Sequence, residues 1–175
     1  MTTDSRTVAN SAVLDFRAAS AASAGSLTPH PVVGETHRVY TVKTSDRLEL
    51  INLTSRVRDF VRASGAREGM VLVSSLHTTF GLMVNEWQDA LLHDIKGMLA
   101  DVIPADREYR HNDPLYSDCD RKNAHAHLQA TLLKHSLTFG VHEAKLSLGQ
   151  FQAIIAAELD GPRERQFSVQ IFPFA

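Results

Sequence analysis

Histidine is the residue type in this chain whose frequency most suggests chemistry. Nine histidines are many for 175 residues. His77 follows a predicted buried strand, His111 lies in a predicted long loop, and His127 lies on a predicted helix. Their separations match no local zinc motif, so only tertiary folding could bring them together. Three imidazoles with a carboxylate would suit zinc, manganese, iron or nickel better than calcium, because imidazole prefers those ions.

The predicted helix near residue 125 carries two histidines, of which only one can serve a given site. His125 and His127 are two residues apart, so on a helix they project about 200° apart around the axis. Asn123 and His127 are four residues apart and share a face. We therefore select His127 as the better ligand, with Asn123 as a helix cap or co-ligand. The alternative for His127 is a partly buried side chain with a single hydrogen bond.

Two carboxylates end the strongest strand pattern in the chain. In the segment 151–160, side chains alternate between two faces, of which one is predicted to be core and the other to end in Glu158 and Asp160. These neighbours could coordinate a cation or hold an arginine such as Arg163 or Arg165. A surface ion pair is the alternative.

Asp94 is a further acidic candidate. A helix is predicted from residue 86 to the break at Pro104, because apolar residues recur there at helical spacing. Asp94 comes seven residues after Trp87, which places it on the predicted apolar stripe. It is either a functional carboxylate or a buried hydrogen-bond acceptor.

Basic side chains near these candidates could bind phosphate or pyrophosphate oxygens. They are Arg110, Arg121, Lys122, Arg163 and Arg165. For Arg121 and Lys122 we favour a role in loop solubility. The sequence contains no Gly-x-Ser-x-Gly elbow, phosphate-binding Walker loop or dinucleotide-binding glycine pattern, so standard hydride transfer and nucleotide hydrolysis lose support.

Composition limits the class of protein. With 18 Lys+Arg, 20 Asp+Glu and a net charge of -2, the chain has no electrostatic drive toward nucleic acid. No apolar run approaches the length of about 20 residues that a membrane helix needs. Cys119 is the single cysteine and is flanked by acids, so we predict neither a disulfide nor a catalytic thiolate. These features favour a cytoplasmic location.

The elements that position the candidates follow from periodicity and turn signals. We predict a flexible, Ala/Ser-rich tail over 1–35 and one domain over 36–175. The predicted strands are 37–43 and 48–53, joined as a hairpin, then 70–76, 137–141, 146–148, 151–159 and 166–172. The predicted helices are 54–64, 86–103 and 123–134, with a long surface loop over 104–122. This order predicts an α+β fold, with helices packed on a mainly antiparallel sheet.

Taken in order, several short segments closely resemble the YjbQ-like family over residues 37–172. The segments are His77-Thr78-Thr79, Asn85-Glu86, Asp94, Tyr109-Arg110-His111, Asn123 to Leu128, Leu148 to Gln152 and Glu158 to Arg163. The resemblance implies a small single-domain α+β protein that forms homotrimers. It also implies that the three selected histidines converge around a divalent metal (zinc, manganese or magnesium) or an anion. Phe151 stands where the family often has tryptophan, and the tail is additional.

The family carries the name secondary thiamine-phosphate synthase, which implies an activity. The protein would weakly couple a pyrimidine pyrophosphate with a thiazole phosphate, with metal assistance. The expected catalytic residues are His77, His111, His127, Glu158 and Asp94, of which the histidines would bind the metal. The expected substrate-binding residues are Arg163, Arg110, Asn123 and Glu86. The alternatives are a non-catalytic trimer that binds a metal or phosphorylated metabolite, and a metal-dependent phosphoester hydrolase.

Overall fold

The fold is described from a computed structural model, which covers residues 34–174. The strands are β1 His37–Lys43, β2 Glu49–Asn52, β3 Gly69–Ser75, β4 Phe80–Glu86, β5 Ser136–His142, β6 Lys145–Leu146, β7 Gln152–Glu158 and β8 Glu164–Pro173. The helices are α1 Thr54–Ser64, α2 Asp89–Val102 and α3 Ala124–Leu132, with a short 3-10 turn at Arg110–Asn112. Nearly all of the predicted tail lies outside the described residues, so it stays a prediction.

The strands form two antiparallel sheets, which confirms the predicted α+β class. The larger sheet has the order β1-β8-β3-β5-β6, and the smaller has the order β2-β7-β4. The predicted hairpin of the first two strands is wrong. β1 pairs with β8, with Val39 opposite Ser168, whereas β2 pairs with β7, with Leu50 opposite Ala157. The turn between β1 and β2 therefore carries the chain from one sheet to the other.

Strand β4 was not predicted from the sequence. It pairs along its whole length with β7, for example with Leu82 opposite Ala156. Phe80 and Leu82 are buried in the core between the sheets, while Met83 packs against the core on the other side. Because both faces of its first part are covered, residues 80–84 form a continuous apolar run without the alternation that marks a half-exposed strand, and only Asn85 and Glu86 are exposed.

Strand β7 is buried on both faces and joins two hydrophobic cores. Ile154 belongs to the core shared with α1 and the larger sheet, and Ile155 belongs to the core shared with α2 and α3. Burying one such side chain stabilises the fold by about 1.5–3 kcal/mol. The prediction that only one face of this strand is core is therefore wrong. As a consequence, Glu158 and Asp160 are buried as well.

Helix α1 follows its prediction closely and fixes the smaller sheet. Leu53 is the N-cap residue, so Thr54 is the first helical residue rather than the cap. The Thr54 hydroxyl instead accepts a hydrogen bond of 2.9 Å from the backbone N–H of Ile154. Gly65 ends the helix in the left-handed conformation, at φ 73°, which glycine adopts without a steric penalty.

Helix α3 is placed as predicted but buries a different face. Leu128 and Leu132 were predicted to supply its apolar surface, yet both are substantially exposed. The buried residues include His125 and Gln129. The Gln129 amide donates to the backbone oxygens of Leu99 at 3.1 Å and of residue 103 at 3.0 Å, which caps the end of α2. A polar contact therefore holds α3 against α2.

Candidate functional site

Glu158 forms a buried ion pair with Arg165. The Arg165 Nε lies 2.6 Å from Glu158 Oε2, and its Nη2 lies 2.5 Å from Oε1. The backbone N–H of Asp160 donates to Oε1 at 2.8 Å, and the Thr44 hydroxyl donates to Oε2 at 3.2 Å. Both carboxylate oxygens are thus occupied. Glu158 was expected to be catalytic, but it has no lone pair directed at a ligand, and the geometry assigns it a structural role.

The loop between β3 and β4 carries His77 beside that ion pair. The Arg165 Nη2 also donates to the Thr79 hydroxyl at 2.9 Å, which ties the loop to β8. The His77 Nε2 accepts a hydrogen bond of 2.8 Å from the backbone N–H of Gln166. The neutral ring therefore carries its proton on Nδ1. Burial lowers the pKa of His77, and the positive charge of Arg165 lowers it further while Glu158 partly offsets both effects.

His111 and His127 form a pair at the start of α3. The two rings meet edge to face with their centroids 5.1 Å apart. The backbone N–H of Ala124 donates to the Asn112 side chain at 3.0 Å, which fixes the 3-10 turn carrying His111 against the helix. Burial lowers the pKa of His127, as does the nearby His111, whereas Asp160 raises it. His127 is therefore predominantly neutral at pH 7.

Two cavities meet at His127. One, of about 760 Å³, is lined by His77, His127 and the end of α3. The other, of about 420 Å³, is lined by His111, His127 and Arg110. All three predicted histidines thus line adjoining cavities, with His127 common to both. Arg110 also lies over the ring of Tyr116, 5.4 Å from its centroid.

The side chains of one chain do not fit the expected metal centre. Among residues 34–174, no three His, Cys, Asp or Glu side chains come close enough together to hold a metal ion. The single lone pair of neutral His77 is already used by the Gln166 N–H. A metal there would have to displace this hydrogen bond. We therefore derive no step through a metal ion.

Arg163 and Asn123 converge on Asp160 rather than on the histidine cavities. The Asp160 Oδ2 receives hydrogen bonds of 2.9 Å from Arg163 Nη2 and 2.9 Å from Asn123 Nδ2. Two further guanidinium groups approach the same carboxylate: Arg121 Nε at 3.3 Å and Arg47 Nη2 at 3.9 Å. The side chain of Asp160 is only 7% exposed. We call Arg47, Arg121 and Arg163 the arginine cluster.

Two expected site residues lie elsewhere. Asp94 is 78% exposed and lies 3.8 Å from His93, so it is neither a buried acceptor nor close to the other histidines. Helix α2 begins at Asp89, three residues later than predicted, and its buried stripe is Leu92, Ile95 and Leu99. This stripe leaves Asp94 facing outward. Glu86 lines a separate cavity of about 750 Å³ with Trp87.

Sequence reasoning did not consider Arg47, assigned Arg121 to loop solubility, and set His125 aside in favour of His127. His125 is 5% exposed, and its Nδ1 has no hydrogen-bond partner among the described residues. Burial lowers its pKa, and so does Arg47, while Asp160 raises it. The sequence contained no local signal for this grouping, because Arg47 lies in the distant turn before β2.

The fold and these residues place the protein among known relatives. In solved structures, a YbjQ-like protein of unknown function from Sulfolobus solfataricus P2 superposes with a TM-score of 0.73 at 35% identity, covering 79% of this chain and 96% of that one. A hypothetical protein from Aeropyrum pernix K1 gives a TM-score of 0.72 at 32% identity, covering 79% of this chain and 98% of the other. These are compact proteins with the same single-domain α+β architecture.

Sequence comparison agrees. A UPF0047 protein from Methanothermobacter thermautotrophicus is 41% identical over 137 residues, which is 76% of this chain and 92% of the relative. One from Archaeoglobus fulgidus is 42% identical over 130 residues, or 74% and 96% of the two chains. The family model described as UPF0047 protein YjbQ-like matches residues 38–173. The chain belongs to the YjbQ-like (UPF0047) family, which confirms the resemblance. None of the helices within residues 34–174 is long and apolar enough to cross a bilayer.

Proposed function

We propose that this protein binds small phosphorylated metabolites in the two cavities that meet at His127. We further propose that it weakly couples a pyrimidine pyrophosphate with a thiazole phosphate there, as its resemblance to secondary thiamine-phosphate synthases implies. One observation carries the proposal: His127 lines both cavities, with His77 in the first and His111 and Arg110 in the second. A reaction that joins two organic substrates needs adjoining sites of this kind.

The proposed reaction matches the donors that line the cavities. The carbon–oxygen bond of the pyrimidine methylene breaks, and its electron pair leaves with pyrophosphate. The thiazole nitrogen then forms a bond to the resulting carbocation. Negative charge develops on the leaving oxygens, so the step gains from fixed donors such as the Arg110 guanidinium and the Nδ1–H of neutral His77. No proton has to be removed at the bond-forming step, so the reaction requires no carboxylate base.

A binding protein without turnover is the second candidate. Glu158 is engaged by Arg165, and the lone pair of neutral His77 accepts from the Gln166 N–H, so neither group is free to act as a general base. A metal-dependent phosphoester hydrolase is the third candidate, and it has less support because one chain does not assemble three metal ligands in its described part. Divalent zinc, manganese or magnesium is therefore an assay variable rather than part of the mechanism.

A homotrimer belongs to the same proposal and has support from the outer face of the larger sheet. The three central strands of this sheet are β8, β3 and β5. Between Gln166 and Phe172 on β8, and at the positions paired with this stretch on β3 and β5, the outer face carries no charged side chain. Met70 and Leu72 lie on this face of β3, and Thr138 lies on the same face of β5. Exposed antiparallel sheet faces are usually polar and charged. A cytoplasmic location remains part of the proposal, in agreement with a single cysteine.

Product formation from purified components tests the proposed function. Wild type, His77→Ala and His127→Ala would be incubated with the pyrimidine pyrophosphate and the thiazole phosphate, with and without divalent ions. We expect wild type to form thiamine phosphate, and both variants to form it at a rate at least about tenfold lower. The matched control is His93→Ala, because His93 is 88% exposed and lies on α2.

The outcomes separate the candidates. Binding of the thiazole phosphate without product would overturn the coupling reaction and leave the binding protein. Phosphate release from the pyrimidine substrate alone would favour the hydrolase. Product from His77→Ala and His127→Ala at the wild-type rate would refute the placement of the site.

A further inference from the structure

The arginine cluster carries more positive charge than its carboxylate can balance. Arg47, Arg121 and Arg163 surround the single buried carboxylate of Asp160, which leaves two net positive charges. The neighbouring Glu158 is neutralised by Arg165 and contributes no net charge. Like-charged guanidinium groups repel each other, and an anion that binds among them would offset this repulsion.

Asp160 does not need all three arginines. Its Oδ2 is already satisfied by the 2.9 Å hydrogen bonds from Arg163 and Asn123. Arg121 and Arg47 approach at 3.3 and 3.9 Å with half-exposed side chains. Neither guanidinium donates a side-chain hydrogen bond to another group within residues 34–174. Their N–H donors are therefore available to a ligand.

His125 gives an independent indication of a ligand at the same place. Its side chain is 95% buried, yet its Nδ1 has no hydrogen-bond partner within residues 34–174. Buried polar atoms in folded proteins nearly always have a partner, often a ligand or bound water. His125 follows Asn123, whose side-chain amide binds Asp160, by two residues, and Arg47 and Asp160 both act on its pKa, so the ring lies near the arginine cluster.

The start of helix α3 adds a third favourable element. Asn123 is its N-cap residue, but the Asn123 side chain binds Asp160 and makes no capping hydrogen bond. The positive end of this nine-residue helix therefore adjoins the arginine cluster. The arginine cluster and His125 line neither of the two histidine cavities.

We propose that the arginine cluster and His125 form a binding site for a dianionic phosphate group, separate from the two cavities that meet at His127. Two unbalanced positive charges match the charge of a phosphate monoester above its second pKa, which is about 6. Inorganic phosphate and the phosphate group of a metabolite share this chemistry. The site does not depend on the coupling reaction.

Calorimetric titration of the full-length protein tests this site, with inorganic phosphate and methyl phosphate as probes at pH 7.5 and constant ionic strength. We expect Arg47→Gln and Arg121→Gln each to weaken binding by about tenfold or more, because each removes a charge-assisted hydrogen bond. The matched control is Arg56→Gln, which removes the same charge from an exposed position of α1. We expect it to bind like wild type. Tighter binding of inorganic phosphate would identify free phosphate as the ligand, and tighter binding of methyl phosphate would identify a metabolite.

Imidazole NMR provides a second measurement. We expect the ring nitrogen resonances of His125 to shift on addition of phosphate, with His93 unaffected. The proposal is overturned if wild type does not bind either probe, or if the control and the two cluster variants weaken binding equally. The two proposals fail separately, since Arg47→Gln should weaken phosphate binding and leave thiamine phosphate formation within about twofold of wild type, whereas His127→Ala should lower thiamine phosphate formation and keep the phosphate-induced shift of the His125 resonances.

Discussion

The buried ion pair between Glu158 and Arg165 gives the most quantitative prediction. We expect Glu158→Gln to lower the free energy of unfolding by about 3–5 kcal/mol, because it leaves the Arg165 guanidinium buried without its counter-charge. Arg165 is 4% exposed and Glu158 is fully buried, so water cannot replace the lost carboxylate charge. For a domain of this size the loss corresponds to a fall of about 10–20 °C in melting temperature.

Urea denaturation followed by circular dichroism, at one fixed protein concentration, measures this loss. The matched control is Glu164→Gln, which breaks the exposed pair with Lys43 at 3.4 Å. We expect the control to lose less than about 1 kcal/mol. Combining Glu158→Leu with Arg165→Met should cost less than the sum of the two single changes, since it removes both charges together.

The experiment also separates a structural from a catalytic role for Glu158. A loss as small as that of the Glu164→Gln control would refute the account of the ion pair. A Glu158→Gln protein with normal stability but no thiamine phosphate formation would instead restore the catalytic assignment expected from the sequence.

Three further predictions follow from burial and close contacts. The free energy of unfolding should fall as the pH drops from 7 through the lowered pKa values of His77 and His127. Above the unfolded pKa of 6.5 these histidines are neutral in both states, whereas below it the unfolded chain binds protons more readily than the folded protein. Urea titrations at several pH values measure this loss, and replacing both histidines by Gln should flatten the pH dependence. Gly161→Ala should destabilise the fold by at least about 2 kcal/mol, because the added Cβ would collide with the backbone oxygen of Asp46 in the turn before β2. Gly97→Ala has open space around it and should stabilise α2 by about 0.5–1 kcal/mol, and melting curves of the two variants test both predictions. Gln129→Leu should cost about 1–3 kcal/mol, because the carbonyl oxygen of Ile103 loses its Gln129 donor while that of Leu99 keeps the bond from the Ile103 N–H; an unchanged melting temperature would contradict this.

Local sequence patterns predicted the elements that depend on local interactions. The side chains of β1 alternate, β3 is rich in apolar and β-branched residues, and α1 ends where Gly65 can adopt a positive φ, so their bounds were predicted to within about a residue or two. The pairing of β1 with β8 and the strand β4 were missed. Pairing between distant strands depends on tertiary packing, and a strand covered on both faces lacks alternation.

The candidate site was only partly predictable for similar reasons. The resemblance selected His77, His111 and His127, which line adjoining cavities. Asp94 was misplaced because its face was predicted from Trp87, which precedes α2; the buried stripe begins at Leu92, and Asp94 projects about 200° away from that residue. His125 was set aside because Asn123 shares a helical face with His127, and nothing in the sequence spacing indicated that Arg47, from the distant turn before β2, lies near His125.

Calorimetric titration of thiazole phosphate into wild type, His127→Ala and His93→Ala tests the central claim most directly, since His127 is common to both cavities. We predict that wild type and His93→Ala bind it with equal affinity, and that His127→Ala binds about tenfold more weakly or not at all while keeping the wild-type melting temperature. Equal affinity in all three proteins, or no binding to wild type, would contradict the claim that the cavities meeting at His127 hold the substrates.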